Sequence, residues 1–395
     1  MKKKIRLGIF GFGCVGQGLY SVLQQTRGIN AEIKKICIKH PEKKRSIDAS
    51  LFTTNRDEIL NDPDIDVVVE LIDEVDAAFE IVSAALKKGK AVVSANKKMI
   101  AENFTTLLEL QNRYKTPFLY EASCCASIPV IRNLEEYYDN DLLTSVEGIL
   151  NGSTNYILTH IFNHDQTFAE ALKNAQELGY AETDPSLDIQ GLDPKYKLLI
   201  ILVHAFGIIL KPGDIFNYGI GNLKEADIRY AQEKNASIKL IALCKKTGSK
   251  VYAYCMPRFV PLSDTLNKVN YEYNGLLIEG AFSEHQFFMG KGAGGNATGS
   301  AVLSDISALT YDYKYEYKKI TQQLNPVFTQ DVELEVYASY HNGIVPDIRD
   351  FESISVKHES PGFNYLIGKI NLSTLRESAW LQHPSISIVL TESNR

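Results

Sequence analysis

Cysteine pairs at metal or redox spacing are missing from this chain. Its six cysteines, Cys14, Cys37, Cys124, Cys125, Cys244 and Cys255, are scattered; without CxxC pairs they exclude a zinc ribbon or dithiol motif and read as reduced thiols. Long apolar runs are missing too: no stretch of about 20 apolar residues occurs, which argues against a transmembrane helix. Lys and Arg are dispersed and the formal net charge is -6. There is thus no broad basic face for nucleic acid or an anionic membrane, and neither partner is expected. The beginning, MKKKIRLGIFGFGCVG, is basic and then apolar, but Gly11, Gly13, Gly16 and Gln17 interrupt the run. No small-residue cleavage pattern follows, so a secretory signal is not expected and a cytoplasmic location is.

What is present is ordinary for a globular protein: 45% hydrophobic and 23% charged residues. A length of 395 residues exceeds one hydrophobic core, so two or three domains are expected. Short β-like runs (IRLGIFG, AEIKKICIK, IDVVVELI, AVVSAN, PFLYEA) alternate with amphipathic segments up to about residue 121. That alternation predicts a parallel sheet with crossover helices. Gly11, Gly13 and Gly16 form GxGxxG between the first strand and a helical segment at Val15. One glycine permits the tight turn, another lets the backbone approach a pyrophosphate, and the third lets the helix pack closely. The helix N-terminus then favours the anion.

An NAD-selective site of this kind carries an acid at the end of the second strand. Here KKICIK ends at Lys39, followed by His40, Pro41, Glu42, Lys43, Lys44 and Arg45. NADP is therefore expected, with NAD an alternative; a solvated basic turn is the plainer reading of the same residues. A second cluster, Gly290, Gly292, Gly294 and Gly295, precedes a helix expected near Ala297. It reads either as a return to the nucleotide domain or as a flexible connection capped by Thr298.

Beyond Pro129 the pattern changes. LLTSVEGILNG reads as a strand, residues 155–178 as helices, KLLIILVHAFGIIL as a buried helix, and residues 236–289 as strands of a second sheet. The segment ELGYAETDPSLDIQGLDPKYKLLI gathers Glu182, Asp184, Asp188 and Asp193 ahead of Lys197. Asp193 and Lys197, four apart, share one side of a helix entry. Carboxylates suit an ammonium, and a desolvated lysine can exchange a proton with a hydroxyl or carbonyl. Alone, the segment reads equally as an N-cap, an i,i+4 pair and solvated loop acids.

The expected class is α/β. A Rossmann NAD(P)-binding domain over 1–130, completed by about 290–320, precedes an α+β catalytic and dimerisation domain over 131–320 and a small extension over 321–395.

Six motifs in order, GFGCVG, SANKK, YEASCCASIPVI, GILNGSTNYIL, LGYAETDPSLDIQGLDPKYK and GKGAGGNATGSAV, resemble the homoserine dehydrogenase family up to about residue 310. The resemblance implies reversible NAD(P)-dependent hydride transfer between L-homoserine and L-aspartate 4-semialdehyde in threonine, methionine and isoleucine biosynthesis. It places Lys97 and Lys197 beside the reacting oxygen, with Asp193 positioning substrate or water. Glu182 and Asp188 would hold the ammonium, and Tyr180, Gly152 and Ser153 would line the pocket. Gly11, Gly13, Val15, Gly16 and Gly292 would meet the cofactor. Backbone oxygens of Glu121, Cys124, Ala126 and Ile128 would form a site for a monovalent cation such as sodium. The implied assembly is a homo-oligomer, a dimer or dimer of dimers.

Departures stand at Cys125, Ala126 and Ser127, and at Asp73 and Glu74, where the family commonly has glycine. They suggest altered loop backbones there. Two other classes remain open, another amino-acid dehydrogenase and a dinucleotide-binding sensor without turnover. A fused aspartate kinase is not expected, because the nucleotide loop starts at Gly11. In the tail, DVELEVYASY, FESISVKH and SISIVLTE read as strands, and the Ser360, Pro361, Gly362 turn resembles half of an ACT regulatory domain. A small packing or dimer-contacting extension, responding weakly or not at all to threonine, is the expectation.

Overall fold

The computed structural model describes residues 4–140, 142–322, 325–341 and 343–391. Met1 to Lys3 of the basic start, and Glu392 at the end of the last expected strand, lie outside them. The chain forms two compact units. One comprises Met1–Asp139, Leu199–Lys211 and Lys291–Gln322; the other comprises Asn140–Leu198, Pro212–Gly290 and Gln323–Arg395. From Lys291 on, the late glycine segment thus belongs to the first unit, and the tail belongs to the second.

Six helices carry the argument: α1 (Cys14–Gln25), α2 (Val75–Lys87), α3 (Lys97–Tyr114), α4 (Gly152–His164), α5 (Leu192–Phe206) and α6 (Gly295–Ala308). In the first unit, strands β1 (Ile5–Phe10), β2 (Ala31–Cys37), β3 (Phe52–Thr53), β4 (Val67–Glu70), β5 (Ala91–Ser94) and β6 (Phe118–Leu119) form a sheet of order β3-β2-β1-β4-β5-β6. Every pair is parallel. The Val67–Glu70 run is fully buried, as a strand covered on both faces must be. Phe10 pairs with Glu70 and Glu70 with Ser94, so β1, β4 and β5 end level. Their loops emerge together at the carboxyl edge, where doubly wound sheets bind ligands.

Helix α6 packs on α1 backbone to backbone. A Cβ on Gly18 would lie 1.9 Å from the Gly295 oxygen, and one on Gly299 would lie 2.5 Å from the Leu19 nitrogen. The late glycines are therefore a packing surface rather than a loose connection. Helix α6 starts at Gly295, earlier than expected, on an N-cap Gly294 with φ of 112° that only glycine adopts readily. Thr298 is buried inside the helix and is not its cap.

The second unit is built on an antiparallel core of β7 (Leu143–Ile149), β9 (Ala236–Thr247), β10 (Lys250–Pro261) and β11 (Tyr273–Gly280), with β12 (Glu284–Lys291) beside β11 and short β8 (Phe216–Asn217) against β10. In place of the single helix expected over 197–210, α5 stops at Phe206. Gly207 follows with φ of 71°, the left-handed conformation that ends a helix.

The tail supplies β13 (Val327–Phe328), β14 (Glu333–Tyr340), β15 (Phe351–Ser360), β16 (Phe363–Asn371) and β17 (Ile386–Leu390). Four of these run β17-β14-β16-β15, each neighbour antiparallel, and β17 pairs with β10 at Arg258 and Leu390. The expected strand DVELEVYASY is β14, the first of the four in chain order. A turn of 3-10 helix, Ile348–Asp350, leads into β15, and a short helix, Leu372–Glu377, follows β16.

Candidate functional site

In the first unit, the loop after β1 is shaped by its glycines. Gly11 has φ of 94°, and a Cβ there would sit 2.6 Å from the Leu71 oxygen. Gly16 lies beneath the Gly11 oxygen, also at 2.6 Å from a would-be Cβ, while Gly13 faces open space. Gly13 caps α1 without a side-chain hydrogen bond, and α1 has no acid in its first turn. The same holds for α6 with Gly294, and a Cβ on Gly295 would lie 2.7 Å from the Cys14 oxygen. Two helix N-termini with uncapped N–H groups thus sit side by side. That arrangement fits a diphosphate, which supplies the acceptors that the side chains do not. Val15 and Gly292 flank it, half-buried.

Lys39 lies past the end of β2, and its ammonium is 2.8 Å from Glu74, with both side chains largely exposed. Arg45 donates to the carbonyls of His40 and Lys43 at 2.8 and 2.7 Å and sits over the Phe52 ring. Arg45 is thus tied down, while Lys39, His40, Lys43 and Lys44 are exposed, as the solvated-turn reading expects.

Lys97 opens α3 half-buried, behind an Asn96 cap that accepts from the Met99 N–H at 2.9 Å. Asn96 also donates to the Ile72 carbonyl at 2.9 Å. Glu70, fully buried, accepts from Ser94 Oγ at 2.6 Å and from the Ile72 N–H at 2.7 Å. One carboxyl thus joins the loops after β4 and β5 and sets where Lys97 begins its helix.

In the second unit, the acidic segment and the NGST turn converge. Asn151 caps α4, accepting from the Thr154 N–H at 2.8 Å. Its amide nitrogen donates to Asp188 at 2.7 Å and Asp193 at 2.8 Å. Lys197 Nζ donates to Asp193 at 2.8 Å and to the Leu150 carbonyl at 2.6 Å. Asp193 and Lys197 are 6% and 7% exposed, so the pair is shielded from the screening that weakens surface pairs. Burial, then the charge of Asp193, pushes the Asp188 carboxyl above its usual range, against the hydrogen bond from Asn151. Ser153 Oγ donates to the Tyr180 carbonyl at 2.5 Å, and Gly152 opens the helix beside it. A Cβ on Gly152 would lie 2.7 Å from the Glu272 oxygen.

Residues 11–121 match the family model for the homoserine dehydrogenase NAD-binding domain, and residues 129–307 match the one for homoserine dehydrogenase. The homoserine dehydrogenase of Bacillus subtilis is 34% identical over 316 residues, 78% of this chain and 73% of that protein. The chain belongs to the homoserine dehydrogenase family. The Helicobacter pylori homoserine dehydrogenase is 36% identical over 314 residues, covering 78% of this chain and 74% of its own. Among solved structures, a homoserine dehydrogenase from Thiobacillus denitrificans superposes with a TM-score of 0.87 over 99% of both chains at 26% identity. That of S. aureus superposes at 0.75 over 100% of both at 25% identity. Membership makes this chain an oxidoreductase that binds a nicotinamide dinucleotide; the general role of the family lies in threonine and methionine biosynthesis. No helix among the described residues is long and apolar enough to cross a membrane.

Of the residues expected in a homoserine dehydrogenase site, Asp188, Asp193, Lys197, Gly152, Ser153 and Tyr180 come together in the second unit. Glu182 does not join them by a bond: it is exposed, and its carbonyl accepts from Gln176 at 3.0 Å. The expected cation loop is a turn of 3-10 helix, Glu121–Ser123, followed by Cys125 and Ala126 at φ of 52° and 41°. Both residues hold the left-handed conformation that glycine takes without strain, so the turn is kept at a conformational cost. The carbonyls of Glu121 and Ile128 already accept from the Cys124 and Val130 N–H groups at 3.2 and 2.9 Å. Cys124 and Ala126 are buried nearby.

Sequence reasoning missed Asn151, Glu70 and Gly18. An Asn followed three residues later by Thr at a helix start is a readable cap, whereas nothing local marks the other two. Burial raises the Glu70 carboxyl to about 7. A folded pKa above the unfolded one contributes stability that is present below the unfolded value, about 4.5, and is lost as pH rises through about 7. Glu70→Gln cannot ionise. Relative to this variant, the wild type should lose on the order of 3 kcal/mol between pH 4.5 and 8. Denaturant unfolding of both proteins across that range checks it; parallel profiles would refute the buried titration.

Proposed function

We propose that the chain interconverts L-homoserine and L-aspartate 4-semialdehyde, with Lys197 exchanging the proton at the substrate oxygen. The observation that carries this reading is the buried Lys197–Asp193 pair, fixed by Asn151 and the Leu150 carbonyl. Asp193 keeps the Lys197 nitrogen aimed, and Asp188, already hydrogen-bonded to Asn151, takes the substrate ammonium. Glu182 assists from the exposed loop, Lys97 is the second lysine at the reacting oxygen, and Tyr180, Gly152 and Ser153 line the pocket. The nicotinamide supplies or accepts the hydride. Gly11, Gly13, Val15, Gly16 and Gly292 bind its dinucleotide through backbone groups.

Turnover with homoserine but not with aspartate or other amino acids, followed by nicotinamide absorbance and without ammonia release, tests the assignment. Ammonia release would favour a different amino-acid dehydrogenase, and no turnover at all would favour a sensor.

NADP is the proposed cofactor, because Lys39 stands where an NAD-selective site carries an acid. Its pairing with Glu74 is exposed and worth little, so a 2'-phosphate would displace the carboxylate. NADPH should be used at least as well as NADH, and Lys39→Ala should lower kcat/KM for NADPH about tenfold while sparing NADH. A strong NADH preference untouched by Lys39→Ala would contradict the assignment. Sodium at the Glu121, Cys124, Ala126 and Ile128 carbonyls belongs to the proposal as well. It is supported by the buried Asp305 carboxyl, whose Oδ2 accepts from the Glu121 N–H and whose Oδ1 has no hydrogen-bond partner among the described residues. A homo-oligomeric, cytoplasmic enzyme completes the reading.

A further inference from the structure

Lys239 lies on β9 and is 2% exposed. Its ammonium donates to three neutral oxygens: Asn155 Oδ1 at 2.9 Å, the Val269 carbonyl at 2.7 Å and Asn270 Oδ1 at 3.0 Å. No carboxylate among the described residues pairs with it, and burial pushes its pKa down to about 7. A cation buried without a counter-charge is costly, and no step of the proposed chemistry uses it.

What it holds is specific. Asn155, on the first turns of α4, donates its amide to the carbonyls of Val269, Tyr271 and Tyr273 at 3.2, 3.0 and 3.1 Å. Tyr271 sits at φ of 56°, and its N–H donates to Thr159 Oγ1 at 3.0 Å. The segment is thereby wrapped against α4. Asn274, the next side chain along it, donates to the Leu150 carbonyl at 3.1 Å. That carbonyl also receives Lys197 at 2.6 Å. A continuous run of bonds thus leads from Lys239 through Asn155 and residues 269–274 to the oxygen that aims Lys197.

We infer that Lys239 is a positioning residue for Lys197, acting through Asn155 and the 269–274 segment. The inference rests on the assignment of Lys197 to proton exchange. Without the Lys239 ammonium, three buried oxygens lose a donor. The segment then relaxes, and the Leu150 carbonyl shifts with Asn274. A displacement of about 1 Å at a reacting group costs up to roughly a hundredfold in rate.

A double-mutant cycle of Lys239→Met and Lys197→Met separates this from a purely structural role. Turnover with homoserine and cofactor affinity are measured for all four proteins. Lys239→Met should lower kcat about ten- to a hundredfold with little change in cofactor affinity. In the Lys197→Met background it should cost less than about twofold, because the group it aims is already gone. The same loss in both backgrounds, or no loss in the wild type, would overturn the inference. Lys197→Met alone tests the underlying assignment, since full turnover there removes the catalytic lysine whatever Lys239 does. Should Lys239→Met not fold, Asn274→Ala replaces it in the cycle, cutting the bond at its far end with the same expected outcomes.

Discussion

Lys197→Met is expected to lower turnover by roughly 10²- to 10⁴-fold, the usual contribution of a general acid–base group, with cofactor affinity nearly unchanged. The physical case is the setting of the side chain rather than its presence. The ammonium is buried, aimed by the Leu150 carbonyl and by Asp193, and Asp193 is in turn fixed by Asn151. Met keeps the apolar stem, so packing is largely preserved and the loss reports the missing nitrogen. The proposed dinucleotide cradle consists of backbone N–H groups in the other unit, which is why its affinity should hold. Single-turnover rates and equilibrium cofactor titration of the variant check both parts. An unchanged turnover number would remove Lys197 from the chemistry and leave Lys97 as the candidate. Lys97→Ala should show a similar loss of kcat; a change in KM alone would make Lys97 a binding residue.

The parts of this site that could be read from sequence are those whose partners lie within one turn or one loop. GxGxxG is local, and so is the spacing that brings Asp193 to Lys197. Gly18 looks like an ordinary helix residue, and its reason for being glycine is the Gly295 backbone, brought against it only by the fold. The late glycine cluster was ambiguous for the same reason, since a glycine does not say which surface approaches it. Glu70, Lys239 and Asn274 are each invisible locally, because the carbonyls and N–H groups they meet come from separate segments. The substitutions at Cys125 and Ala126 pointed to a changed backbone. The chain holds these residues in the left-handed conformation, a choice that local preference opposes and the surrounding packing imposes. The tail strands were legible by alternation, but strand pairing leaves no local mark, so their union with β10 was not.

That union builds the tail into the core of the second unit. Leu334, Val336, Leu366, Ile370, Ile386, Ile388 and Leu390 from the tail form one buried cluster with Phe216, Leu243, Tyr252, Tyr254 and Met256 of the second unit. Polar ties reinforce it: Tyr337 donates to the buried Asp227 at 2.9 Å, and Tyr218 donates to the Ile386 carbonyl at 2.9 Å. A chain ending at Val327 would uncover the five large side chains on the β8, β9 and β10 surface. At roughly 1.5–3 kcal/mol each they represent about 7–15 kcal/mol, comparable with the whole net stability of a typical domain, about 5–15 kcal/mol. Read from sequence alone, a chain ending near Val327 keeps the nucleotide and catalytic motifs and some activity; with this cluster uncovered it should instead lose the cooperative unfolding of the second unit, expose apolar surface and aggregate, and lose most of its turnover. Thermal unfolding, dye binding and homoserine oxidation measured beside the full chain decide the matter. A soluble, cooperatively unfolding and active protein ending at Val327 would show that β9 and β10 hold their shape without the strands that cover them.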